Sequence, residues 1–241
     1  MSYPVEIKAN VEPSAIDSAL STLKLADSDA EERSIYFLDT SRAHEPLVLY
    51  AQGVILRIRC GVGGDNDCTV KFRPCRLAQL PTAWKEPSTG DGWEYRLEED
   101  WTGDHRVLSA SLVVDREDAQ VEPAVRGEDP SAVFADDQLE LFHGYTSHDL
   151  QPKHLRLLGP VRARKWKTKV RGHKIYCEEW DIDARLRFLE LSGRADDADA
   201  AQVSQQQLLD LYESLGVPIS ATPELKTKLV LDHFSKTAHP S

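Results

Sequence analysis

The sequence lacks several signatures that mark common classes of protein. No apolar run approaches the roughly 20 residues that a transmembrane helix needs. The four cysteines form no Cys-x-x-Cys pair, which argues against a zinc site, and the eight histidines show neither the HxH nor the HExxH spacing. The segment MSYPVEIKAN does not have the basic and then apolar pattern of a signal peptide. We therefore expect a cytoplasmic protein with reduced thiols and no membrane partner.

An excess of basic charge is also absent. Lys and Arg total 29 against 40 Asp and Glu, a net charge of -11, which argues against general nucleic-acid binding through a basic surface. The 241 residues are enough to bury a hydrophobic core without disulfides. We expect one domain over residues 1–235, in which residues 103–150 form a less typical, acidic and partly helical segment.

Hydrophobic patterning predicts an α+β fold with a mostly antiparallel sheet and helices at both ends. A stretch rich in turn-forming residues, 61–67, separates two alternating segments and predicts a β-hairpin. Residues 107–114 and 131–142 are the candidate helices of the acidic segment. The predicted strands are 5–11, 35–38, 54–59, 69–73, 93–101, 159–170, 174–182 and 187–191, and the terminal helices are 14–23, 203–215 and 222–234.

Cations are concentrated on single faces of the predicted strands. Arg57 and Arg59 alternate with apolar residues on one strand of the hairpin, and Lys71 and Arg73 do so on the other. A further run of cations lies between residues 162 and 174. In an acidic protein this pattern favours an anion site, since guanidinium groups bind phosphate or carboxylate oxygens in a bidentate manner. The alternative is the solvated face of an antiparallel sheet.

Carboxylates also lie on the predicted strands. Arg96, Glu98 and Asp100 share one face of their strand by alternation. Carboxylates near a bound polyanion would be explained by divalent cations between them, because Mg²⁺ and Mn²⁺ prefer oxygen ligands. The alternative is that these carboxylates pair with arginines across strands. The strand carboxylates are Glu6, Glu98, Asp100, Asp181 and Glu190.

Several segments resemble CYTH domains, also called triphosphate tunnel metalloenzymes, and follow the order seen in that family. The matching segments are Glu6-Ile-Lys8, Tyr36-Phe-Leu-Asp-Thr40, Gly53-Val-Ile-Leu-Arg-Ile-Arg59, Thr69-Val-Lys71, Arg96-Leu-Glu98, the strand of Arg162 and Arg164, Asp181 and Phe188-Leu-Glu190. The resemblance spans most of the chain outside residues 103–150. It implies a closed, eight-stranded antiparallel β tunnel flanked by helices.

The resemblance also implies metal-dependent hydrolysis of a small-molecule triphosphate, either inorganic tripolyphosphate or a nucleoside triphosphate, by a monomer or homodimer. The alternatives are a class IV adenylate cyclase and a non-catalytic polyphosphate- or nucleotide-binding protein. No general base can be named. Carried over by position, the phosphate-binding residues are Lys8, Arg57, Arg59, Lys71, Arg73, Arg96, Arg162 and Arg164, and the ligands of Mg²⁺ or Mn²⁺ are Glu6, Glu98, Asp181 and Glu190.

Two positions depart from the family pattern. The family has Glu-x-Glu-x-Lys at the amino-terminal strand, but the first position is Pro4 here. The last strand often carries Glu-x-Glu, but Glu190 is followed by Ser192. The loss of two carboxylates predicts one metal rather than two, an altered substrate, or binding without catalysis. Glu179 and Asp183 share the alternation face of Asp181, so the position of that ligand stays open.

Overall fold

The computed structural model describes residues 2–40, 47–146, 155–183, 186–221 and 226–237. The strands are β1 (Val5–Asn10), β2 (Glu31–Thr40), β3 (Val54–Gly61), β4 (Asn66–Phe72), β5 (Ser88–Gly90), β6 (Trp93–Thr102), β7 (His105–Arg116), β8 (Leu155–Val170), β9 (His173–Asp183) and β10 (Leu186–Ala195). The α-helices are α1 (Ile16–Thr22), α2 (Val48–Ala51), α3 (Asp118–Val125), α4 (Asp136–Tyr145), α5 (Ala198–Ser214) and α6 (Lys226–Thr237).

The strands form one sheet in the order β1-β10-β9-β8-β2-β3-β4-β7-β6-β5, and β1 also pairs with β6. This pairing is that of a closed β-barrel with β5 outside it, flanked by helices, so the predicted α+β barrel is confirmed. Two details differ from the prediction. Nine strands close rather than eight, and β1 and β6 run parallel, so the sheet is mixed. A parallel pair needs a long connection, and β2 to β5 supply one.

The chain forms two compact units. The first comprises residues 1–33, 98–107 and 161–226, and the second comprises residues 34–97, 108–160 and 227–241. The single domain over residues 1–235 stays a prediction.

The first unit has an apolar core beneath helix α5. The buried residues of α5, among them Leu208 and Tyr212, pack with the apolar faces of β1 and β10. A Cβ atom on Gly193 would lie 2.7 Å from Leu208 Cδ1, so a larger residue there would require the end of the Leu208 side chain to shift. The helical spacing predicted for residues 203–215 is confirmed.

In the second unit, the helix predicted at residues 107–114 is wrong, because these residues belong to β7. Residues 110–116 of this strand pair with β4, from Asn66 opposite Arg116 to Phe72 opposite Ala110. Residues 109–112 are all buried, so the strand is covered on both faces and lacks the alternation that identifies a half-buried strand. The helix predicted at residues 131–142 corresponds in part to α4.

Gln138 attaches α4 to the strands beneath it. Its side chain is 0% exposed. Nε2 donates to the carbonyls of Cys68 at 3.0 Å and Leu112 at 2.9 Å, while Oε1 accepts from the Ala135 backbone N–H at 3.1 Å and from the Cys68 thiol at 2.9 Å. One buried amide therefore serves α4, β4 and β7 together.

We expect the Gln138→Leu substitution to lower the free energy of unfolding by about 2 to 4 kcal/mol. It removes the donor to two buried carbonyls, and each loss of this kind costs about 1 to 3 kcal/mol. The measurement is urea unfolding followed by circular dichroism. Gln120→Leu is the matched control, because Gln120 is exposed and accepts only locally, from the Glu117 N–H at 3.0 Å. Equal losses in the two variants would contradict the role assigned to Gln138.

Candidate functional site

Three carboxylates converge on one face of the first unit. Glu6 lies on the face of β1 opposite the buried Val5 and Ile7, and the parallel register places Glu6 directly opposite Asp100 of β6. Ligand oxygens of Glu6, Glu98 and Asp100 all lie within 4.8 Å of one another. We call these three residues the carboxylate cluster. The structure thus brings together two of the predicted metal ligands and adds Asp100, whose alternation with Glu98 was visible in the sequence.

Lys8 supplies positive charge to the carboxylate cluster. Its Nζ lies 2.5 Å from Asp100 Oδ1 and 2.9 Å from Glu6 Oε2. Asp100 is 0% exposed, and a buried carboxylate is stable only when it is paired with a cation or bound to a metal. Carboxylate oxygens are the ligands that Mg²⁺ and Mn²⁺ prefer, so the cluster is matched in donor type to a divalent cation of this kind.

A second pair of carboxylates lies on the same face of the sheet. Glu190 of β10 is directly opposite Asn10 of β1 and Glu178 of β9. Lys165 of β8 is in turn directly opposite Glu178. Residues directly opposite on neighbouring strands share a face of the sheet. Glu190, Glu178 and Lys165 therefore lie on the same face as Lys8, and we call this face the charged face.

The side chain of Lys226 lies between the two carboxylates of this row. Its Nζ is 2.7 Å from Glu178 Oε2 and 3.1 Å from Glu190 Oε1, and it lies 4.3 Å from the centre of the Trp180 ring. Burial alone would lower the pKa of Lys226, but the charges of Glu178 and Glu190 outweigh burial and raise that pKa. The Lys226 side chain is therefore a charged ammonium. Sequence reasoning missed both Lys226 and Glu178.

Asp181 lies on the other face of β9. It is exposed and directly opposite Arg162 and Arg187. In the sequence, Glu179 and Asp183 share the alternation face of Asp181, so the choice of ligand on this strand was left open. Ile175 and Cys177 are the residues from which Glu178 could have been found. Both lie on the core face of β9, so alternation places Glu178 on the charged face.

Arg162 and Arg164 share that core face with Asp181. Arg164 Nε donates to Glu179 Oε2 at 2.8 Å, and an Arg187 guanidinium nitrogen donates to Glu179 Oε1 at 2.6 Å. Glu179 is 1% exposed, so these arginines neutralise a buried carboxylate. The structure does not bring Arg162 and Arg164 to the face that carries Lys8.

In the second unit, three predicted phosphate-binding cations share one face of the β3–β4 hairpin. Arg57 is directly opposite Thr69 and donates to its hydroxyl at 3.3 Å. Arg59 is directly opposite Asp67, and its Nε lies 2.8 and 2.9 Å from the two carboxylate oxygens. Lys71 continues the same face by alternation. The structure therefore groups these three cations, and it adds Asp67 as an anionic neighbour.

The two remaining predicted cations of this unit lie outside strands β3 and β4. Arg73 directly follows β4, and its backbone N–H donates to the carbonyl of Gly53 at 2.7 Å. Arg96 of β6 forms an ion pair with Glu94. These two contacts fix the local chain but do not by themselves indicate a ligand.

Asp39, in the Tyr-Phe-Leu-Asp-Thr segment, has a structural role. Its carboxyl accepts from the backbone N–H groups of Thr40 at 2.6 Å, Leu49 at 2.8 Å and Tyr50 at 2.9 Å, and so fixes the start of α2. Burial raises the pKa of Asp39 to about 6, against the opposing effect of these N–H groups. This part of the motif maintains the fold of the second unit.

We expect the stability difference between the wild type and Asp39→Asn to shrink as the pH rises from 4.5 to 7. The raised pKa means that the folded state favours the protonated carboxyl. Its contribution is therefore present at low pH and is lost as the pH rises through about 6. The loss should be about 1 to 3 kcal/mol, and asparagine does not titrate. Urea unfolding across this pH range measures the difference, and a constant difference would contradict the prediction.

Comparisons with known proteins bear on the fold. No family model matches the sequence, and no curated protein matches it. A solved structure of a Bacillus halodurans protein, provisionally assigned as an adenylate cyclase, matches 94% of this chain and 97% of its own, with 12% identity and a TM-score of 0.60. A Hippeastrum protein, provisionally assigned as an adenylyl cyclase and described as having a dominant triphosphatase activity, matches 97% of this chain and 96% of its own, with 13% identity and a TM-score of 0.56.

The expected CYTH fold is confirmed. Both solved structures are matched over nearly the whole chain, and the strand pairing is that of a closed barrel. One fold supports several chemistries, so the reaction of this chain has to be inferred from its own residues. Among the residues that the structure describes, no helix is long and apolar enough to span a membrane.

Proposed function

We propose that this chain hydrolyses the terminal phosphoanhydride bond of a triphosphate, either inorganic tripolyphosphate or a nucleoside triphosphate, with Mg²⁺ or Mn²⁺. The observation that carries the proposal is the carboxylate cluster, in which oxygens of three carboxylates lie within 4.8 Å of one another and Lys8 contacts Glu6 and Asp100. A polyphosphate enzyme needs a metal that shares the negative charge of the substrate, together with cations that orient the phosphates. The chain contains residues of both kinds.

In this proposal Glu6, Glu98 and Asp100 hold the metal. Bound there, the metal would neutralise and polarise phosphate oxygens. Lys8 exchanges part of its interaction with the carboxylates for a phosphate oxygen when metal and substrate enter. This exchange is electrostatically favourable, because the incoming dication attracts the carboxylates that Lys8 releases.

Arg57, Arg59 and Lys71 bind the phosphates in the proposal. Guanidinium groups match phosphate oxygens in geometry and remain charged at all physiological pH values. Arg59 is already held by two contacts to Asp67, which fixes its orientation, while Arg57 donates to a neutral hydroxyl.

We expect Arg57→Ala to weaken tripolyphosphate binding at least tenfold without unfolding the chain. A charge-assisted hydrogen bond contributes about 1.5 to 3 kcal/mol, which corresponds to roughly 10- to 100-fold in affinity. Arg162→Ala is the matched control, because Arg162 is exposed on the core face opposite Asp181. Isothermal titration calorimetry measures both affinities. Undiminished binding by Arg57→Ala would refute the proposed phosphate site.

The direct test of the activity is product release from tripolyphosphate, ATP, GTP and thiamine triphosphate, with Mg²⁺, with Mn²⁺ and with a chelator. We expect metal-dependent release of free phosphate, and a loss of at least a hundredfold in Glu98→Gln. Absence of release from every substrate would overturn the proposal. Stabilisation by a triphosphate without turnover would instead favour a binding protein, an alternative motivated by Pro4 and Ser192.

A class IV adenylate cyclase is the second candidate. The provisional assignments of the Bacillus halodurans and Hippeastrum proteins favour it. A cyclase forms cyclic AMP from ATP and releases pyrophosphate, whereas a triphosphatase releases phosphate. Chromatography of the ATP reaction separates these products, so one assay distinguishes the two activities.

A further inference from the structure

Lys226 contacts two carboxylates on the charged face, as Lys8 does in the carboxylate cluster. Lys226 is the first residue of α6, and its side chain is 11% exposed. Its ammonium is within hydrogen-bonding distance of both Glu178 and Glu190. The Trp180 ring contributes a cation–π contact at 4.3 Å. Two anions and an aromatic face therefore surround one cation.

The register explains why a cation is needed at this position. Glu178 and Glu190 are directly opposite on antiparallel strands, where the Cβ atoms are about 4.5 to 5.5 Å apart and like charges are destabilising. A cation between the carboxylates removes that repulsion. A divalent ion or an ammonium can do so, and the chain supplies the ammonium itself.

The two groups of carboxylates differ in what lies between them. In the carboxylate cluster, ligand oxygens of three carboxylates lie within 4.8 Å of one another, and Lys8 contacts Glu6 and Asp100. In the second group, the Lys226 ammonium contacts both Glu178 and Glu190 and so occupies the position between them. Ser192, which shares the charged face with Glu190, adds no further carboxylate. A divalent ion is therefore disfavoured where Lys226 lies.

We propose that Lys226 is a tethered cation that takes the place of a second divalent metal between Glu178 and Glu190. The chain then binds one divalent ion, and removal of the ammonium creates a site for another. The inference rests on the proposed function, since it assumes that the charged face is used for metal and polyphosphate. It goes further, because it proposes that Lys226 of α6 determines how many divalent ions the charged face binds.

The test is a Mn²⁺ titration of the full chain without nucleotide, with free Mn²⁺ measured by electron paramagnetic resonance. We expect Lys226→Met to bind one more Mn²⁺ than the wild type. Lys228→Met is the matched control, because Lys228 is an exposed lysine of the same helix that pairs with Asp232, and its count should equal that of the wild type. Adding Glu178→Gln and Glu190→Gln to Lys226→Met should abolish the extra site.

An unchanged Mn²⁺ count in folded Lys226→Met would overturn the inference. Should this variant be unfolded without metal, Mn²⁺ must restore its circular dichroism and raise its thermal midpoint by several degrees. Failure of Mn²⁺ to do so would also overturn the inference. The comparison is a difference between variant and wild type, whereas the proposed function is tested by product release from the wild type. The two can therefore fail separately.

Discussion

The cost of burying carboxylates governs the arrangement of charge in the first unit. Asp100 and Glu179 are both almost fully buried, and an isolated charge in such a position would be strongly destabilising. Lys8 neutralises Asp100 on one face of the sheet, while Arg164 and Arg187 neutralise Glu179 on the other. Alternation along the strands keeps these two networks apart, because neighbouring residues of a strand point to opposite faces.

The cations on the two faces therefore have different roles. Around Glu179, Arg164 and Arg187 pair with a buried structural carboxylate. The charged face instead carries the carboxylate cluster next to Lys8, which is the group that the proposed metal site uses. A cation count from the sequence cannot make this distinction, since it depends on which carboxylate each arginine or lysine meets after folding.

The parts of the site that follow from local alternation could be predicted. Glu6 and Lys8, and likewise Glu98 and Asp100, are two residues apart on single strands, so their shared faces were readable. The hairpin carrying Arg57 and Arg59 was equally readable, because its turn and both strands are contiguous in the sequence.

The parts that depend on distant pairing could not be predicted. The sequence analysis left the ligand of β9 open among Glu179, Asp181 and Asp183, which share one face, whereas the residue that meets Glu190 across the sheet is Glu178 on the other face. Lys226 reaches Glu190 from a helix 36 residues further along the chain. Strand β7 was misjudged as a helix because burial on both faces erased its alternation.

Ser192 and Lys226 have one electrostatic explanation. Ser192 is directly opposite Lys8 and two residues from Glu190, so a glutamate there would compete for Lys8 and raise the negative charge next to Glu178. With serine at this position, Lys8 keeps its contacts to Glu6 and Asp100, and Lys226 keeps its contacts to Glu178 and Glu190. A neutral residue at position 192 and a buried ammonium at position 226 both make this face less negative. That direction favours the single divalent ion of the proposal.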